Sequence, residues 1–181
     1  INCFCQLIAS AQSPKLMKDR NATIEEARYL KSIYKTEDAI ELLSGLISPG
    51  QIDEEVQNEL ADCYIQTGDL DAAASTYSTL LLMKPESILY RIKLMLTTYR
   101  SKDYKSSSEL GLSIIKRDTI PAIVSLTADS FNMMAMPDSA LIYYNMYIGM
   151  NPANPSVVSK AAKIHLERKE YVKVLDMAED Y

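Results

Sequence analysis

The 181-residue sequence contains no tryptophan, two phenylalanines, five glycines, seven prolines, three cysteines and one histidine. Scarce glycine and proline favour helices joined by short turns. Three cysteines are too few for a disulfide framework. Cys3 and Cys5 form a C-x-C pair with no histidine or further cysteine beside it, which is a weak metal signal. Cys63 lies alone in a helical run, as a small core residue would. Basic excess is also missing: 19 Lys and Arg against 24 Asp and Glu leave a net charge of −5. No cluster of Lys and Arg interleaves with aromatics, so no nucleic-acid partner is expected and a polybasic membrane-surface helix is unsupported. No apolar stretch reaches the 18 or so residues that cross a bilayer.

Catalytic signatures are missing too. There is no Gly-rich phosphate loop, no G-x-S-x-G and no CxxC pair. His165 sits in "AAKIHLERKEY", which is not the HExxH of a zinc protease. No nucleophile motif accompanies it, so it reads as a helix-packing residue rather than an acid or base. The pairs Glu25-Glu26, Glu54-Glu55 and Glu179-Asp180 read as helix starts or solvated faces. The expectation is a protein without enzymatic activity, cofactor or metal.

What is present is 48% apolar and 24% charged residues, the balance of an ordered protein. The length suits one domain or one array of repeats, burying about two-thirds of its unfolded surface. "INCFCQLIASAQSPK" starts without methionine, is apolar to Ile8, turns small at Ala9-Ser10-Ala11 and then becomes polar. Residues 1–13 read as the tail of a secretory signal peptide, with a short N-terminal helix as the alternative. The expected location is the periplasm or cell envelope, the alternative cytoplasmic. Tyr181 falls in an uncapped helical run. The sequence therefore reads as a piece of a longer, exported protein of bacterial type.

The strongest signal is internal self-similarity. Ala39, Ala73, Ser107, Ala140 and Val174 follow one another at spacings of 34, 34, 33 and 34. Twelve residues before each lie Ala27, Ala61, Met95, Ala128 and Ala162. Three residues further on come Leu30, Tyr64, Thr98, Phe131 and His165, and four after the second-helix small residue come Leu43, Tyr77, Gly111, Tyr144 and Ala178. Each unit holds two runs with apolar spacing i, i+3, i+4, i+7. Asp53 and Asp69 are expected helix caps, and Asn154-Pro155 places proline at a first helical position. A lone hairpin cannot bury both its stripes, so neighbouring units must stack.

This spacing and these residue types resemble the tetratricopeptide repeat. The match is best over "LADCYIQTGDLDAAASTYSTLLLMKP", with Leu60, Ala61, Tyr64, Gly68, Ala73, Tyr77 and Pro85 in place. Expected units are 20–53 (divergent), 54–87, 88–120 (degenerate), 121–154 and 155–181 (partial). In the degenerate unit Met95 and Gly111 stand where small and bulky residues are usual, and a one-residue shift would put Tyr99 in the aromatic slot. The resemblance implies an all-α fold, a right-handed α-solenoid or superhelix of stacked antiparallel helix pairs.

It also implies a concave groove lined by first-helix residues. These are Asn58, Asp62, Ile65 and Gln66, then Ser125, Asp129, Asn132 and Met133, with Leu96, Tyr99 and Arg100 from the degenerate unit. Met133, Met134 and Met136 read as core filler or as an adaptable contact surface. Amides beside apolar groups suit an extended peptide or a partner helix. Asp62 and Asp129 stand where a receptor for chain-terminal carboxylates would want neutral or basic groups. The expected function is a scaffold that binds a protein or peptide in this groove. The alternatives are a sensor array of a signalling or transcription regulator whose membrane and effector domains lie beyond this sequence, and a cell-envelope assembly subunit.

Overall fold

The computed structural model describes residues 14–179 apart from Pro49 and Ala153, with side chains described from residue 19. Cys3, Cys5, the Ala9-Ser10-Ala11 tract and Tyr181 lie outside the described residues. All regular structure there is helical. In chain order the helices are α1 (Pro14–Ser32), α2 (Thr36–Gly45), α3 (Glu54–Thr67), α4 (Leu70–Met83), α5 (Ile88–Arg100), α6 (Tyr104–Ile115), α7 (Pro121–Met133), α8 (Pro137–Met150), α9 (Pro155–Glu167) and α10 (Tyr171–Glu179). The chain divides into two compact units, with the boundary between Leu80 and Leu81.

Local chemistry sets where the helices start and stop. Asp53 accepts from the backbone N–H groups of Glu55 and Val56 at 3.1 and 3.2 Å, capping α3. Asp69 accepts from Ala72 at 3.0 Å, Asp103 from Ser106 at 3.1 Å and Asn154 from Ser156 at 3.1 Å. Each satisfies a donor that has no partner inside its helix. Pro121, Pro137 and Pro155 open α7, α8 and α9, where a missing N–H costs nothing. The turns within hairpins share a second device. Tyr34, Gly68, Lys102, Ala135 and Lys169 all have φ between 55° and 85°, and they fall 34, 34, 33 and 34 residues apart. Only Gly68 occupies this left-handed region without a Cβ penalty.

In the first unit Ile24 and Ala27 of α1, Ala39 and Leu43 of α2, and Val56, Leu60 and Cys63 of α3 form one core. Burial pushes the Cys63 thiol above its ordinary pKa, so it stays a protonated core residue. An ion-pair ladder flanks this core. Arg20 meets Asp53 at 2.6 Å and Glu55 at 3.0 Å, while Arg28 reaches Glu55 at 3.0 Å and Glu59 at 2.8 Å. Lys31 adds a contact to Glu59 at 2.6 Å. Glu59 is 8% exposed. Burial alone would raise its pKa, but the hydrogen bonds from Lys31 and Arg28 outweigh that and hold it below the usual range. Arg20 likewise lowers Asp53.

In the second unit each helix packs on the next, from α5 to α10. One core joins Met95, Ile114 and Ile123; another joins Ala128, Ala140, Tyr144, Ala161 and Ile164. Met95 and Gly111 exchange the usual volumes. Met95 is fully buried and reaches into the space that Gly111 leaves empty, so a Cβ built on Gly111 would lie 2.8 Å from Met95 Cε. Tyr99 does not fill that space. It stands edge-on to Tyr104, with ring centroids 5.4 Å apart. Ala162 differs from Ala61 and Ala128 in being half-buried, beside Val158, Val174 and Met177.

Candidate functional site

The second unit contains a pocket of about 270 Å³ lined from three successive first helices. Tyr99 comes from the last turn of α5. Asp129, Asn132 and Met133 come from α7, at the i, i+3, i+4 spacing that places side chains on one helical face. Lys160, Lys163, Ile164 and Glu167 come from α9 at i, i+3, i+4, i+7. Tyr144 of α8 lies beneath them and is fully buried. Packing of α7 against α8 and of α8 against α9 holds these faces together.

The polar groups at the pocket base are tightly paired. Tyr144 Oη donates to Asp129 Oδ1 at 2.7 Å. Lys160 Nζ donates to both oxygens of Asp129 at 2.8 Å. Burial, reinforced by this bond to a carboxylate, pushes the Tyr144 phenol far above its ordinary pKa. Burial and the Asp129 charge also raise Tyr99. At the rim the groups are loose: Lys163 approaches Glu167 only at 4.0 Å.

Four of the expected residues therefore meet: Tyr99, Asp129, Asn132 and Met133. Arg100 is exposed at the end of α5 and does not line the pocket. Asn58, Asp62 and Gln66 lie in the first unit, on α3. Asp62 accepts a hydrogen bond from the Tyr77 hydroxyl, and Gln66 donates to the Lys31 carbonyl at 3.3 Å. Lys160, Lys163, Glu167 and Tyr144 are additions that sequence reasoning did not bring to the site. A signal existed for Tyr144, because Asp62–Tyr77 and Asp129–Tyr144 are both 15 residues apart.

The single histidine closes a turn. His165 is buried, with Nδ1 2.5 Å from Glu170 Oε2, and its carbonyl accepts from the Glu170 N–H at 2.9 Å. The His165 bond holds the Glu170 carboxyl below its ordinary pKa. Among the described residues no group of three or more His, Cys, Asp or Glu is arranged to hold a metal, and no helix is long and apolar enough to cross a membrane.

Residues 34–95 match the family model described as a tetratricopeptide repeat. Solved structures extend the likeness along the chain. MamA of strain AMB-1 superposes with a TM-score of 0.76 at 15% identity, covering 90% of this chain and 89% of that one. MamA (41-end) from Desulfovibrio magneticus RS-1 gives 0.75 at 9% identity, covering 88% and 90%. A further MamA crystal structure gives 0.77 at 10% identity, covering 88% of each chain. At such identities the likeness is one of fold. A search of curated proteins returns no match. The fold is an all-α helical-repeat scaffold of tetratricopeptide type, an architecture consistent with protein–protein interaction.

Proposed function

We propose that the protein binds a segment of a partner protein or peptide on the face formed by the first helices of its second unit, α5, α7 and α9, with the pocket around Asn132 as the anchoring point. The observation that carries this reading is the convergence of α5, α7 and α9 on one pocket whose rim offers an exposed amide, Asn132, beside an exposed apolar group, Met133. An amide can pair with a peptide N–H and C=O at once, while a methionine adapts to apolar side chains. The pocket base supports rigidity: the fully buried Tyr144 holds the Asp129 carboxyl in place.

Affinity capture with the purified protein tests the proposal. A bound partner should be lost in the Asn132→Ala/Met133→Ala double variant while the thermal melt is unchanged. Capture that is indifferent to the double variant overturns the assignment of this face. Export is a separate element of the proposal and rests on Ala9-Ser10-Ala11. Fractionation of cells that make the full-length protein tests it, and a wholly cytoplasmic protein refutes it.

A further inference from the structure

The two members of the Asp129–Lys160 ion pair differ in how firmly they are held. Asp129 sits in the body of α7, its side chain 18% exposed, with Oδ1 held by a fully buried tyrosine. Lys160 is different. It is 40% exposed, hangs on a flexible four-carbon stem, and donates to both oxygens of Asp129. A preorganised group sets selectivity, because it does not reorganise on binding; a flexible one can step aside.

We propose that the pocket recognises a cationic side chain, a lysine or arginine in a basic segment of the partner, and that Lys160 is a tethered stand-in which that side chain displaces from Asp129. The proposal rests on the peptide-binding reading above and names the chemistry of its anchor. Lys160 already demonstrates the contact, with an ammonium group seated across both carboxylate oxygens. An arginine would meet the same oxygens bidentately. Tyr99 adds an aromatic ring to the lining, and aromatic faces attract cations. Glu167 adds a second carboxylate at the rim, loosely paired with Lys163. The whole-chain charge of −5 favours approach of a basic segment. A carboxylate ligand would instead have to settle against the Asp129 carboxyl, which the buried Tyr144 holds in place.

The stand-in makes the test decisive, because cationic and anionic ligands respond to it with opposite sign. The probes are Nα-acetyl-arginine amide, its uncharged isostere Nα-acetyl-citrulline amide, and Nα-acetyl-glutamate amide. Each is titrated into the protein and followed by the amide signals of α5, α7 and α9. A stand-in seated about nine-tenths of the time weakens apparent affinity about tenfold. Lys160→Gln should therefore bind the arginine probe about tenfold tighter than wild type, while Lys160→Arg binds no tighter. The citrulline probe should leave the pocket signals unchanged. Equal or weaker arginine binding in Lys160→Gln overturns the proposal. So does a glutamate probe that binds wild type and is lost in Lys160→Gln. If Lys160→Gln fails to fold in a thermal melt, wild type alone decides, since a pocket that shifts equally with arginine and citrulline has no cation site. Partner capture that needs Asn132 and Met133 but tolerates Asp129→Asn would sink the cation and leave the binding face standing. Probe binding without any captured partner would do the reverse.

Discussion

Gly111→Ala is an informative substitution because two ordinary arguments give opposite signs. Gly111 lies inside α6, and alanine is the better helix former by about 1 kcal/mol. On propensity alone the variant should be more stable. The packing says otherwise. The added Cβ would collide with Thr127 Oγ1 and lie 3.2 Å from Thr127 Cβ. Thr127 is fully buried and donates to the Ile123 carbonyl at 2.7 Å, so turning it away breaks a buried hydrogen bond. Met95 Cε, at 2.8 Å, is the more forgiving neighbour because its side chain is flexible. Overpacking of this kind costs about 1–3 kcal/mol. The net expectation is a loss of about 0–2 kcal/mol once the propensity gain is subtracted. Chemical denaturation measures it as a lower midpoint at unchanged slope. Adding Thr127→Ala removes the colliding oxygen, so the double variant should lose less than the two single losses combined, by about 1 kcal/mol or more. A Gly111→Ala protein more stable than wild type would refute the packing argument.

The ion-pair ladder of the first unit predicts an acid-labile contribution. Asp53 and Glu59 have folded pKa values below their ordinary ones, so the unfolded chain binds more protons. Their stabilisation is thus present above the ordinary carboxylate range, about pH 4, and is lost as pH falls through the lowered folded values. Denaturation midpoints at descending pH should drop less steeply in Glu59→Gln than in wild type; parallel profiles would contradict this. Ala135→Gly should stabilise the α7–α8 turn. A left-handed alanine costs about 1–2 kcal/mol, against up to about 1 kcal/mol for the extra freedom of glycine in the unfolded chain. A thermal melt that falls would show that the Ala135 turn is unstrained.

The α3–α4 hairpin was the most legible element, because every local signal agrees there. Asp53 caps, Gly68 turns, and Ala61 and Ala73 are fully buried. Other features left no trace in residue type. The left-handed turn recurs in register at Tyr34, Lys102, Ala135 and Lys169, none of which announces a positive φ. Helix α1 begins at Pro14, six residues before the expected repeat, because "PKLMKD" carries no apolar stripe. The pocket was half legible. Helical spacing placed Asp129, Asn132 and Met133 on one face, but Lys160 lies 31 residues from Asp129, and only tertiary packing joins them. Tyr144 read as a packing residue and is one; its hydroxyl also fixes the carboxylate beside it.

The family match ends at residue 95, where the exchange of volume between Met95 and Gly111 begins. The pair has a consequence for ancestry. Shrinking Met95 alone would open a cavity, and enlarging Gly111 alone would force a collision with Thr127. Shrinking Met95 would not free Gly111, because Thr127 would still stand in the way. Three residues on three helices, Met95, Gly111 and Thr127, are therefore coupled, and a return to the common repeat volumes would need all three to change together.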